Sequence, residues 1–153
     1  MIHSLIVCTL GGRVLSGHYY GELGVAHRET QVEYEQAVHD ATCHEWGDLA
    51  EGTHLIAVVD DPLVEDPVLV VYTMVGSTMV FLSGMEGVVD ETELALALDV
   101  VAEHIRDVVK KPSADAFFSS SYSKLLLGLD SLIVDGVLQY VDRSVSKKLS
   151  KMG

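Results

Sequence analysis

The tract "VLVVYTMVGSTMVFLSGM", Val68 to Met85, contains no charged residue and is long enough to cross a bilayer as a helix. A chain holding such a tract either places it in lipid or buries it inside a water-soluble fold. Its composition favours burial. Valine, tyrosine and phenylalanine suit pleated sheet, and Gly76-Ser77 in the middle suits a two-residue turn. Acidic residues flank it on both sides, with no Lys or Arg nearby to set an orientation across a membrane. The tract is therefore read as a β-hairpin. Val68, Val70 and Tyr72 are apolar on one side while Leu69, Val71 and Val75 are apolar on the other, so both faces need cover, and helices must supply it.

The flanking segments provide those elements. "SLIVCTL", the pair Gly11-Gly12 and "RVLSGHYY" form a first hairpin, the glycines allowing the positive φ of a tight turn. "ETQVEYEQAVHDATCHEW" places Val32, Ala37, Val38 and Ala41 near helical spacing, and "THLIAVVDDP" is a short strand ended by Asp and Pro. Asp90 caps a helix with Glu93 three positions on, and Leu94, Leu98, Val101, Ile105 and Val108 form its apolar stripe until Pro112. A second helix is expected from about Asp115, with Phe118, Tyr122, Leu125, Leu129 and Leu132 on one side, running towards Gly136. An extended "VLQYVD" then leads to a last amphipathic turn or two through Val145 and Leu149. The order is β-β-α-β-β-β-α-α, with a third closing helix.

At 153 residues the chain is the size of one domain, expected to span 1–153 with a single core. Residues 1 to 100 hold seventeen Asp and Glu against only Arg13 and Arg28, and the whole chain carries a formal charge of -13. That field repels phosphate backbones, so nucleic acid is not an expected partner. Lys147, Lys148 and Lys151 read as the solvated end of a helix. Two cysteines, Cys8 and Cys43, fit a reducing compartment, and "MIHSLIVCTLGG" lacks the basic region and cleavage site of a signal peptide. A cytoplasmic chain with no transmembrane segment is expected.

Three blocks carry a resemblance. "SLIVCTLGGRVLSGHYYGE", with its paired Tyr19 and Tyr20, resembles the opening of coatomer zeta and clathrin-adaptor sigma subunits. "VVYTMVGSTMVFLSGMEGVVDETELALALDVVAEHIRDVV" is similar to their strand, strand, acidic turn and long helix, and "LLLGLDSLIVDGVLQYVDRSVSKKL" to their closing segment. The resemblance runs over nearly the whole chain and implies an α+β, longin-like (SNARE-like) fold, a five-stranded antiparallel sheet flanked by helices. It implies a non-enzymatic small subunit of a vesicle-coat or adaptor complex, docked on a large helical-repeat subunit and reaching the plasma membrane, Golgi or coated vesicles only through that complex. Dileucine recognition, a task of some sigma chains, is not implied. The arginine position falls on Val14 and the pocket positions on Gly76, Thr78, Ala102 and Pro112, none of which matches, and Thr73 and Met74 replace the basic pair after the tyrosine. This departure suits the small subunit of the TPLATE or TSET type, or a divergent zeta chain. A longin-type regulator binding a small GTPase or SNARE shares the fold and is the alternative.

Other constellations have plain readings. His39, Cys43 and His44 could share a helix face as zinc ligands, but no fourth ligand lies nearby, and His18, His27, His54 and His104 show no converging pattern. A metal-binding regulatory protein is thus a lesser alternative, and no metal, cofactor or catalytic residue is assigned. "SYSK", Ser121 to Lys124, matches a Ser-x-x-K pattern without the accompanying Lys-Thr-Gly. "GELG", Gly21 to Gly24, lacks phosphate-loop spacing, and "DDPLVED", Asp60 to Asp66, lacks calcium-loop order and reads as a solvated hairpin loop.

Overall fold

Val68 to Met85 forms two strands, β4 (Val68–Val75) and β5 (Thr78–Met85), paired antiparallel about Gly76 and Ser77 in this computed structural model. Gly76 sits at φ +61, the left-handed conformation that a two-residue hairpin turn demands of its first central residue. The structure describes residues 2–50, 52–60, 67–85, 87, 89–109, 113, 116 and 122–139. Among these, no helix is long and apolar enough to cross a membrane.

The remaining strands are β1 (Ile2–Thr9), β2 (Val14–Tyr19) and β3 (Leu55–Val59). Their order in the sheet is β2-β1-β5-β4-β3, with every neighbouring pair antiparallel. Period-two alternation sorts the strand side chains into two layers. Val7, Val71, Val75, Val80 and Leu82 face a helix pair, α3 (Glu91–Val108) and α4 (Tyr122–Leu132). Ile6, Cys8, Val70, Tyr72 and Phe81 face α2 (Arg28–Thr42) and Trp46. A five-stranded antiparallel sheet under helices on both faces is the α+β, longin-like architecture that the resemblance implies.

α3 starts where its cap signal lies, with Asp90 Oδ1 accepting from the Thr92 backbone N–H at 2.8 Å. Its Leu94, Leu98, Val101 and Ile105 are all buried, each contributing about 1.5–3 kcal/mol of apolar transfer.

Three local expectations are corrected. Val32 is 46% exposed, and Tyr34 takes the buried position on α2. The Tyr34 hydroxyl is satisfied by Ser4 and Ser83, each 2.8 Å away, and these two lie 2.6 Å apart, so three buried hydroxyls tie α2 to β1 and β5. The helix ends at Thr42, and "CHEWGD" (Cys43–Asp48) continues as a tighter 3-10 turn that drives Trp46 into the core, its Nε1 donating to Thr42 Oγ1 at 3.1 Å. "GELG", which lacks phosphate-loop spacing, forms a single helical turn, α1 (Gly21–Gly24), that buries Leu23. Finally, α4 stops at Leu132 short of Gly136. Asp135 and Gly136 adopt φ 52 and 80 and join two-residue strands β6 (Ile133–Val134) and β7 (Val137–Leu138), because Asp-Gly favours a hairpin turn over a helix end. Pro112, Asp115, Phe118, residues 140–142 of "VLQYVD", Val145 and Leu149 lie outside the described residues.

Candidate functional site

A concave site is built where α2 passes the β1–β2 turn. Gly12 in that turn has φ +93 and no Cβ, which lets the His39 ring of α2 lie against it; a Cβ there would stand 2.8 Å from His39 Nε2. The resulting surface groove has a volume of about 250 Å³ and is lined by Gly11, Val14, Val32, Glu35, Gln36 and His39. It narrows inward to a cleft of about 20 Å³ that reaches Cys8, Trp46 and Phe81, room for roughly one water.

The polar groups of this groove are largely engaged. Arg28 grips Glu35 with two N–H donors at 2.9 and 3.1 Å, and the Tyr19 hydroxyl donates to the same carboxylate. Burial nevertheless pushes the Glu35 carboxyl above its ordinary pKa. The His39 ring meets the Trp46 edge at 5.2 Å and 88°. Its Nδ1 is buried, with Asp40 Oδ1 at 3.6 Å, too far for a hydrogen bond. Cys8 is buried, which raises its thiol to about 12 and keeps it protonated, so it is a packing group and no ready nucleophile.

The other histidines are spread over the fold. His18 on β2 bonds Ser16 Oγ at 2.7 Å and lies 3.7 Å from Asp130 on α4; burial lowers its pKa against the opposing pull of Asp130. His27 precedes α2. His54, ahead of β3, bonds Asp99 of α3 at 2.7 Å. His104 is 1% exposed on α3, where its Nε2–H donates to the Leu125 carbonyl of α4 at 3.2 Å. Burial lowers the His104 pKa, more than that carbonyl and Asp107 raise it. Cys43 and His44 are exposed on the 3-10 turn. Among the described residues no group of three or more His, Cys, Asp or Glu side chains comes together to hold a metal.

Lys124 of "SYSK" is on α4, and Asp60 is an exposed residue after β3; Ser121 and residues 61–66 fall outside the described residues. The positions equivalent to a sorting-signal pocket are not assembled. Val14 packs in the α2 layer and Ala102 in the α3 layer, on opposite faces of the sheet. Gly76 is in the β4–β5 turn, the buried Thr78 hydroxyl donates to the Val75 carbonyl at 2.6 Å, and Pro112 lies outside the described residues. Sequence reading missed the groove itself. Its signal was available in Gly12 facing a helix that carries His39, but the pairing of turn and helix is a tertiary fact.

No protein-family model matches the sequence. The TSET complex member tstD of Dictyostelium discoideum is 30% identical over 142 residues, an alignment covering 92% of this chain and 86% of that protein. So long an alignment takes in most of the sheet and the helices on both its faces. Likeness carried over that whole length, in the layered arrangement described above, places this longin-like chain in the family of the TSET complex member tstD.

Proposed function

We propose that this chain is a non-enzymatic small subunit of a TSET-type vesicle-coat or adaptor complex, docking on a large helical-repeat subunit in the cytoplasm and meeting membranes only through that complex. The observation that carries the reading is the near full-length likeness to a TSET complex member. The site chemistry is in keeping with it. The groove carboxylate is occupied by Arg28 and Tyr19, and the thiol beneath it is held neutral, so the groove offers shape and a few polar contacts more readily than a reacting group. The acidic first hundred residues would speed encounter with a basic partner surface and disfavour wrong ones.

The test is affinity capture of the tagged full chain from its native cytosol at gentle salt, with the stoichiometry of co-purifying chains quantified. A large helical-repeat chain recovered in equal amount is the expected result. Recovery of the isolated monomer refutes the reading, and a small GTPase or SNARE in equal amount replaces it with the regulator alternative.

A further inference from the structure

On the face of the sheet covered by α3 and α4, the cover is one strand too narrow. Five strands at about 4.8 Å span about 24 Å, whereas two helices of about 10 Å each cover about 20 Å. α4 lies towards β2, as the His18–Asp130 approach shows, and α3 packs on β4 and β5. β3 is the edge strand left over. Ile56 and Val58 pair with Val71 and Leu69, which α3 buries, yet they themselves remain 46% and 53% exposed. Two large apolar side chains on a bare strand face, beside a helix flank, form a channel that nothing among the described residues covers.

The channel has defined walls. The His54–Asp99 hydrogen bond of 2.7 Å shows that this flank of α3 faces β3 and closes one end. Leu96, one turn before Asp99, is 62% exposed on the outer side of α3. At the other end stand the exposed acids Asp60 and Glu91.

We infer that this channel is where one helix of the large partner seats, as a third helix beside α3, with an apolar stripe on Ile56 and Val58 and Lys or Arg at its rim. This inference rests on the docking function proposed above. A helix fits better than an added strand, because a strand paired to the free edge of β3 would leave Ile56 and Val58 bare. Charge selects a basic occupant. β3 and the first half of α3 belong to the segment with seventeen acids, whose only basic residues, Arg13 and Arg28, sit on the β1–β2 turn and α2. A second copy of this chain would bring the same acidic rim against itself, which is repulsive.

Three full-length variants test the assignment in the capture experiment: Val58→Glu, Asp60→Lys and, as a control on an exposed apolar residue of α4, Leu127→Glu. Exposed positions leave the fold intact, which circular dichroism confirms. Val58→Glu should lower recovery of the large chain by about tenfold or more, as loss of a central apolar anchor does. Asp60→Lys should slow association and weaken its salt dependence. Leu127→Glu should match wild type. A photo-crosslinking side chain at position 58 should join to a helical segment of the large chain bearing Lys or Arg beside its apolar stripe. Equal capture by Val58→Glu and wild type, or a crosslink to a second copy or to residues 140–153 of this chain, overturns the assignment while leaving the docking function standing. Failure of the wild-type chain to capture any large chain overturns both.

Discussion

Gly128→Ala tests the contact between α3 and α4 with a single methyl group. At an exposed helix position this change stabilises by about 1 kcal/mol, since alanine is the better helix former. Here Gly128 is buried, and a Cβ at that position would overlap the His104 ring. The ring has nowhere to go. It is 1% exposed and its Nε2 is bonded to the Leu125 carbonyl. Overpacking costs about 1–3 kcal/mol, and pulling the imidazole off its carbonyl adds about 1–3 kcal/mol for an unpaired buried donor. Less the helix gain, the net loss is about 3 kcal/mol, or about 6–12 °C in Tm for a chain of this size. Urea unfolding followed by circular dichroism measures it. The companion His104→Ala removes the obstacle, so the added methyl should cost less than about 0.5 kcal/mol on that background, a strongly non-additive cycle. A stabilised Gly128→Ala variant, or additive losses in the double variant, would refute the packing argument.

Three further outcomes are expected. Burial holds the His104 pKa below its ordinary 6.5, and that of His18 likewise, so the unfolded chain takes up protons first as pH falls. Stability should be full above pH 6.5 and fall below it, with a slope of at most about 1.4 kcal/mol per pH unit per histidine; a urea midpoint unchanged between pH 7.5 and 5.5 contradicts this. Tyr34→Phe removes one of three mutually bonded buried hydroxyls while Ser4 and Ser83 keep each other, so denaturant unfolding should show a loss of about 1–2 kcal/mol. Asp90→Ala strips the α3 cap and should cost about 1 kcal/mol by the same assay, with substitution by Ser or Asn retaining most of it.

The sheet and its two-sided cover were legible because they depend on alternation, a local pattern written plainly in Val68 to Val75. The long helix was legible for the same reason, its cap and stripe lying within one continuous segment. What escaped depended on competition between neighbours. Val32 has the right spacing for the core, but the bulkier Tyr34 wins it because Ser4 and Ser83 wait on strands far along the chain to satisfy its hydroxyl. "LDSLIVDGV" carries helical periodicity until Asp135 and Gly136 impose their left-handed geometry. The groove combines a turn glycine with a helix histidine 27 positions later, and the bare face of β3 exists only because the cover stops short. Neither is a property of any single window of sequence.

The strand order also sets a timetable for synthesis. β1 occupies an interior position whose second neighbour is β5, Thr9 pairing with Thr78 and Ile6 with Phe81. At about 5–20 residues per second, the ribosome needs several seconds after releasing the first hairpin before that neighbour exists. Throughout that interval an apolar strand, Ile2 to Thr9, presents an open row of amides and carbonyls to whatever is nearby. The nascent chain is therefore most prone to mispairing early, and a chaperone that shields its first twenty residues would raise the yield more than one acting on the finished polypeptide.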